Sequence, residues 1–202
     1  MTQNASMARR HGEAVASIET TVAENGILAA AIGVFRRCGY TAARVEDVLK
    51  AAKIARRTFY RYFSSKEDVL ASIYELTTTE IIRAMERAAA ESGDPARGLH
   101  VGIDTYLDFH VEHGGLLRIL VEQSIISDGP LAPLRRKFRA RLVEIVARVA
   151  EAKGVRSDRY THIALLSALE GVSLQLLDEK AGPAEVEQAK RALHELLEMN
   201  LR

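Results

Sequence analysis

Apolar residues recur every three or four positions through almost the whole of this 202-residue chain. In the first strong segment, Ile27, Ala31, Val34, Phe35 and Cys38 fall on one face of a helix. The two-residue alternation that is typical of half-buried strands is almost absent. The pattern therefore predicts an all-α fold.

Glycine, proline and capping residues divide this pattern into separate helices. The first helix ends at Gly39, and two short helices follow, roughly from Arg44 to Ala52 and from Ala55 to Phe63. A long helix is predicted from Lys66 to about Ala90, and about five more helices follow it. We predict an N-terminal arm at residues 1–19, a three-helix domain at 20–66 and a larger helical domain at 67–202.

Two short helices that are joined by a tight turn and supported by a longer one form a helix-turn-helix arrangement. In the second short helix, Phe59 and Phe63 fall on the inward face, and arginine, threonine and tyrosine fall outside. Arginine can bind guanine edges bidentately, whereas tyrosine hydroxyls and lysine bind phosphates. The alternative is a solvated basic face. The candidate DNA contacts are Arg44, Arg56, Arg57, Thr58, Tyr60, Arg61, Tyr62 and Lys66.

The distribution of charge agrees with a polyanionic partner for the first third of the chain. Residues 1–70 carry 11 Lys and Arg against 7 Asp and Glu, a net charge of +4, while residues 71–202 carry 17 against 20, a net charge of −3. Taken alone, so small an excess is weak support for DNA binding.

Residues 24–70 resemble the DNA-binding domain of the TetR/AcrR family of bacterial transcriptional regulators. The shared pattern consists of ILxAAxxxF, GY, V-x-D-V, TFYxYF and SKEDVL. The resemblance implies about nine helices, a homodimer formed by the last two helices, and a C-terminal pocket whose ligand releases the protein from its operator. The chain departs from the family at Lys53 and Arg57, where glycine is common, and at Ala55, where serine is common. We interpret the paired Arg56 and Arg57 as an altered base preference.

The last two helices are strongly apolar. Such faces could pack on a second copy in a four-helix interface, or they could close the chain's own core. The apolar pattern leaves both alternatives open, and the family resemblance favours the dimer. The predicted interface residues are Leu169, Leu176, Val186, Ala189, Leu193, Leu196 and Leu197.

A ligand pocket would lie among the helices between Leu99 and Leu177, because mostly apolar walls with a few polar groups are typical of small-molecule sites. The alternative is that these inward-facing polar side chains are hydrogen-bonded core residues. The candidate lining residues are Tyr106, Phe109, His110, Leu117, Phe138, His162, Leu166 and Glu170.

No motif points to catalysis, a metal or a cofactor. His110 and His113 are three residues apart, but neither HExxH nor ExxH occurs in the chain. A cluster of five cations lies between Arg135 and Arg141, near a predicted helix start, where the helix dipole disfavours positive charge. This basic cluster is either a solvated face or a contact for an anionic ligand or a protein.

A single cysteine excludes an intrachain disulfide, and no apolar run is long enough to span a bilayer. Arg9 and Arg10 are not followed by the apolar stretch of a secretory signal, so we expect a cytoplasmic protein. We predict a ligand-responsive repressor that binds a pseudo-palindromic operator in double-stranded DNA as a homodimer, with an unidentified small-molecule effector. The alternatives are a DNA-binding protein without an effector and, with the least support, an enzyme on a helical bundle.

Overall fold

A computed structural model describes residues 21–155 and 158–200, and these residues form nine helices and no strand. The predicted all-α fold is confirmed, while the predicted arm at residues 1–19 lies outside the described residues. The helices are α1 (21–38), α2 (Val45–Ala52), α3 (Arg56–Tyr62), α4 (Lys66–Glu91), α5 (Pro95–Glu112), α6 (Gly114–Ser124), α7 (Ala132–Ala152), α8 (Arg159–Glu179) and α9 (Pro183–Asn200).

The chain divides into two compact units, and the division falls inside α4, after Ile73. The sequence placed this boundary earlier, at residue 66. The first turns of α4 belong to the N-terminal unit because Val69, Leu70 and Ile73 are fully buried within it. A boundary inside a continuous helix carries no glycine or proline signal, so sequence punctuation does not locate it.

Aromatic side chains form the centre of the N-terminal unit. Phe59 and Phe63 of the α3 segment are buried, as their spacing predicts, with ring centroids 6.0 Å apart. Tyr40 packs edge to face against the buried Phe35, with ring centroids 5.3 Å apart. Burial of the two phenylalanines attaches α3 to the unit's core, and the contact between Tyr40 and Phe35 attaches the α1–α2 loop.

Cys38 departs from the predicted packing face of α1. It is exposed in the last turn of that helix, and its Sγ donates to the carbonyl of Val34 at 3.2 Å. The helical period continues to the end of α1, but residues 36–39 are all exposed.

The turn between α2 and α3 closes with a Schellman motif, in which Lys53 occupies the position that favours glycine. The Ile54 N–H donates to the Leu49 carbonyl at 3.2 Å, and the Lys53 N–H donates to the Lys50 carbonyl at 3.3 Å. This geometry requires left-handed backbone at Lys53, which has φ 56° and ψ 42°. A residue with a Cβ is strained in this conformation, by roughly 1–2 kcal/mol.

In the C-terminal unit α5 packs against α7, α8 and α9, and these helices share an apolar core. The N-cap Asp94 accepts a hydrogen bond from the Ala96 N–H at 3.0 Å, as expected for the start of α5. Lys190 on α9 pairs with Asp108 on α5 at 2.7 Å. Within residues 21–155 and 158–200, no helix has the combination of length and apolarity that crossing a membrane requires.

The structure corrects most of the predicted dimer interface. Five of its seven residues are buried inside a single chain, and four residues of the set line a small apolar cavity of about 60 Å³. Helical period shows that a face is buried but not whether the same chain or a second copy covers it. The buried five are Leu169, Leu176, Val186, Leu193 and Leu197, whereas Ala189 and Leu196 are half-buried.

Replacing Lys53 with glycine should stabilise the N-terminal unit. Glycine relieves the left-handed strain but adds backbone entropy to the unfolded chain, so the net gain should be about 0.5–1 kcal/mol. The free energy of unfolding from urea titration measures the effect. Lys53→Ala is the control, since alanine keeps the Cβ; equal stabilisation by both substitutions would contradict the strain argument.

Candidate nucleic-acid interface and ligand cavity

Most polar side chains of α3 are exposed, whereas its aromatic residue Phe59 is buried. Arg56, Arg57, Tyr60 and Arg61 are exposed, as is Arg44 at the N-cap of α2. The remaining α3 candidates, Thr58 and Tyr62, are half-buried. The basic face predicted from the sequence therefore exists on this side of the unit.

The two neighbouring arginines of α3 differ in their contacts. Arg56 forms an ion pair with Glu46 on α2, and both side chains are at least half exposed. Arg57 forms no hydrogen bond or ion pair with any residue in the described ranges. Because an exposed ion pair contributes little, Arg56 can exchange Glu46 for another partner at small cost. Arg57 can bind a new partner without giving up an existing one.

Arg61 and Tyr62 interact with each other. The Arg61 Nη2 donates to the Tyr62 hydroxyl at 2.9 Å, and its guanidinium lies 4.9 Å from the Tyr62 ring centroid. This contact orders two long side chains at the C-terminal end of α3.

Lys66 is held by the α1–α2 loop. Its Nζ donates to the carbonyls of Tyr40, Thr41 and Ala43 at 3.1, 3.3 and 3.0 Å, and it lies 4.6 Å from the Tyr40 ring centroid. An ammonium group has three protons, so these carbonyls use all of its donors. The structure therefore gives Lys66 a positioning role at the start of α4. The predicted phosphate contact stays a prediction.

α2 has Arg44 at its N-cap instead of a Ser or Thr, and a side chain of its first turn supplies part of the capping. Asp47 accepts a hydrogen bond from the Arg44 backbone N–H at 3.0 Å. This is one half of a capping box, and it leaves the Arg44 side chain exposed at the positive end of the helix. A phosphate at this point would be favoured by both the helix dipole and the guanidinium.

The C-terminal unit contains a cavity of about 320 Å³ that is lined by α4, α5, α6, α7 and α8. Five of the eight predicted pocket residues line it: Tyr106, His110, Leu117, Phe138 and Glu170.

The other three predicted pocket residues lie elsewhere. Phe109 packs against His113, with ring centroids 4.4 Å apart, and Leu166 lines the small apolar cavity. His162 is buried but is not among the residues that line the larger cavity. Each shares the apolar spacing of its helix, but that spacing does not distinguish a cavity wall from a packed core.

Sequence reasoning missed the two arginines of the cavity, Arg135 and Arg139 on α7. They are four residues apart, so they share a helix face, and the basic cluster contained this signal. The other cluster members face differently: Arg136 and Lys137 are exposed, and Arg141 pairs with Glu86 at 3.0 Å. The cluster is therefore divided between the cavity and the surface.

Glu170 on α8 is the counter-ion of both cavity arginines. Arg139 and Arg135 both pair with its Oε2, the latter from 3.4 Å, and Arg139 also donates to the Ser167 hydroxyl at 3.2 Å. Burial, and then repulsion from Arg135, lower the pKa of Arg139. The two guanidinium groups are thus crowded around one carboxylate.

The other titratable side chains of the cavity are neutral near pH 7. Burial raises the pKa of Tyr74 to about 12 and raises that of Tyr106 above its usual value. Burial lowers the pKa of His110 to about 4. The Nδ1 of His110 donates to the Tyr106 carbonyl at 2.8 Å, and the two rings are stacked with centroids 4.1 Å apart. This hydrogen bond places the proton of the neutral imidazole on Nδ1.

Comparison with known proteins shows which family the N-terminal unit resembles. Residues 27–73 match the family model described as bacterial regulatory proteins, tetR family. The HTH-type transcriptional repressor NicS of Pseudomonas putida is 30% identical over 101 residues, which is 50% of this chain and 48% of NicS. The N-terminal unit therefore contains a tetR-family DNA-binding domain. The match spans about half the length of that curated relative.

Solved structures of bacterial regulators share the fold of this chain. FadR of Bacillus halodurans superposes with a TM-score of 0.73 and 21% identity, covering 87% of this chain and 94% of that one. FadR of Bacillus subtilis, in complex with stearoyl-CoA, gives a TM-score of 0.71 and 19% identity, covering 85% and 96%. At this identity the likeness concerns the fold alone.

The buried imidazole of His110 should make the stability of this protein depend on pH. The unfolded chain takes up a proton near pH 6.5, while the folded chain stays neutral at His110 until about pH 4. The stabilisation is therefore complete above pH 6.5 and is lost as the pH falls toward 4, by about 2–3 kcal/mol. Urea unfolding across this range measures it.

His110→Gln is the matched variant, because glutamine can still donate to the Tyr106 carbonyl but does not titrate. The difference in unfolding free energy between wild type and variant should shrink with decreasing pH. Parallel curves would show that the imidazole is not the group responsible.

Proposed function

We propose that this protein is a DNA-binding transcriptional regulator that binds a pseudo-palindromic operator as a homodimer and responds to a small-molecule effector. The observation that carries the proposal is the presentation of α3. Burial of Phe59 and Phe63 leaves Arg56, Arg57 and Tyr60 exposed on a helix-turn-helix within the matched TetR-family domain. Such a helix can enter a major groove and contact base edges.

The contacts of these side chains suggest which of them read bases and which bind phosphates. Arg57 is unpaired among the described residues and reads a base edge, and Arg56 does so after leaving Glu46. Tyr60 and Arg44 are exposed and contact phosphates, which position the domain without reading sequence. Lys66 acts indirectly, since its hydrogen bonds hold the loop that precedes α2.

The cavity supports an effector-responsive regulator over a constitutive DNA-binding protein. Its volume of about 320 Å³ lies at the lower end of the roughly 300–1,000 Å³ that small-molecule sites occupy. The structural relative FadR of Bacillus subtilis holds stearoyl-CoA, which supports a ligand site in this fold. Tyr74, Thr77, Thr78 and Ile81 of α4 line the cavity, and α4 is the segment that both units share. The effector acts through α4 by favouring one of two conformational states.

A homodimer places two copies of α3 on successive turns of the duplex, as a pseudo-palindrome requires. Since the apolar faces of α8 and α9 are used in the chain's own core, we propose that the dimer forms through their outward faces. On α8, Ala164 and Gln175 are exposed and lie on one stripe with Gly171, which also lines the rim of the larger cavity. On α9 the corresponding stripe contains Ala192 and Met199. The small residues among them, Ala164, Gly171 and Ala192, allow helices of two subunits to approach closely.

Replacing Arg57 with alanine should relax sequence preference at one or two base pairs. Loss of a bidentate base contact costs about 1–3 kcal/mol on the preferred site and much less on random DNA. A preferred site selected from a random pool, followed by titration on that site and on random duplex, measures the difference. Arg36→Ala, on an exposed position of α1, is the control. Equal losses on both DNAs would remove the base-reading role.

Replacing Lys66 with alanine should weaken DNA binding without changing its salt dependence, because its donors are bound to loop carbonyls. Loss of a direct phosphate contact would instead reduce the slope of log affinity against log salt by about 0.9. Titrations at several salt concentrations separate these outcomes. Lys66→Ala should also lower the free energy of unfolding by about 1–3 kcal/mol, since charge-assisted hydrogen bonds are lost.

Introducing a charge at Ala192 should dissociate the proposed dimer. Ala192→Glu adds a carboxylate to an exposed position of α9, which the monomer tolerates but an interface does not. Sedimentation velocity should show monomers, and affinity for a two-half-site operator should decrease. Ala140→Glu, on an exposed position of α7, is the matched control. Unchanged sedimentation of the Ala192 variant would place the dimer contact elsewhere.

A further inference from the structure

The charged end of the larger cavity is not electrically balanced. Arg135 and Arg139 reach from α7 toward Glu170 on α8, and both pair with the same carboxylate oxygen, Oε2. The side chain of Arg135 is 31% exposed, that of Arg139 is 23% exposed and that of Glu170 is 18% exposed. Two guanidinium groups and one carboxylate leave a formal charge of +1 in a partly buried site.

No other described residue of the cavity wall offsets this charge. The remaining titratable groups are Tyr74, Tyr106 and His110. The two phenols are neutral near pH 7 even without a shift, and burial lowers the pKa of His110 to about 4, so its imidazole is neutral as well. An uncompensated charge in a partly buried site is unfavourable, so a ligand that brings one negative charge is favoured over a neutral one.

The contact geometry leaves room for such a ligand. Arg135 lies 3.4 Å from Glu170, which is long for a charge-assisted hydrogen bond. A guanidinium has five N–H donors in a planar fork that matches a carboxylate. Glu170 therefore uses only part of the donor capacity of the two arginines, and a second carboxylate can share it or compete for it.

The rest of the wall defines the body of the ligand. Away from the arginines the lining is largely apolar, contributed by helices α4, α6, α7 and α8. Apolar surface favours a hydrocarbon or aromatic body, and the volume of about 320 Å³ restricts its size. The apolar lining residues include Ile81, Leu117, Leu120, Val121, Phe138 and Leu174.

We propose that the cavity selects a small amphipathic carboxylate, whose charged group binds Arg135 and Arg139 in competition with Glu170 and whose apolar body fills the remaining space. This inference rests on the proposed function, because it names the chemical class of the effector for the same cavity. A neutral ligand leaves the cationic charge uncompensated, and a dianion exceeds it. The arginines set the class of ligand, and Glu170 sets how strongly that ligand must compete.

Calorimetric titration of the full chain with paired probes tests this proposal. Butanoate, octanoate and benzoate are each compared with the corresponding amide, which has nearly the same shape and no charge. At least one acid should bind more tightly than its amide by about tenfold or more, as expected when charge-assisted hydrogen bonds are gained. If every amide binds as tightly as its acid, or if no acid binds, the proposal is overturned.

Variants assign the selectivity to the cavity residues. Arg139→Gln should reduce the preference for acid over amide to about twofold or less, and Arg139→Lys should restore part of it because the positive charge is kept. Glu170→Gln should tighten acid binding by about threefold or more, since the competing carboxylate is removed. Arg136→Gln, an exposed neighbour outside the cavity wall, should change neither value.

The variants also supply the opposing outcomes. An unchanged acid affinity in Glu170→Gln would overturn the competition between ligand and glutamate. An equal loss in Arg136→Gln and Arg139→Gln would attribute the preference to surface charge instead of the cavity. Thermal unfolding of each variant without probe identifies misfolding. If Arg139→Gln is destabilised, Arg139→Lys and Glu170→Gln still test whether the cavity residues cause the preference for acids.

DNA titrations separate failure of this inference from failure of the proposed function. Selective operator binding without acid preference would keep the regulator and remove the carboxylate class. Acid preference without operator binding would keep the cavity chemistry and remove the regulator. The effector role itself predicts that the acid which binds changes operator affinity, while its amide does so only at higher concentration.

Discussion

Burial of Phe59 makes the candidate DNA-reading surface possible. α3 has only seven residues. A helix of this length is unstable in water, because the hydrogen bonds it adds after its first turn do not offset the free-energy cost of forming that turn. Phe59 is fully buried and Phe63 nearly so, and their packing in the core keeps α3 in place. The exposed arginines depend on this anchoring, since a mobile helix would lose entropy on entering a groove.

Lys66 provides a second, polar attachment at the same unit. Its three hydrogen bonds join the first turn of α4 to the loop before α2, so the supporting helix and the loop are held together. This role differs from that expected of a lysine near a basic face. A long side chain can reach either outward to phosphate or inward to carbonyls, and only its surroundings decide between them.

The C-terminal unit combines an apolar core with one electrostatically unusual site. Most polar groups in the larger cavity are hydroxyls or a neutral imidazole, whereas its charged end has two guanidinium groups for one carboxylate. The basic cluster on α7 is accordingly neither a uniform solvated face nor a single contact surface. Its members four residues apart face the cavity, and the others face solvent or Glu86.

The sequence by itself determined the helices, the anchoring phenylalanines, the family of the N-terminal domain and five of the eight predicted cavity residues. These follow from local spacing and from motif residues, which a linear sequence contains in full. Only the tertiary structure decided that Leu193 and its apolar neighbours pack within one chain, that Lys66 binds loop carbonyls, and that Arg135 and Arg139 share Glu170. Helical periodicity gives the direction in which a side chain points. The partner it meets depends on how helices far apart in sequence pack together, and no local pattern encodes that.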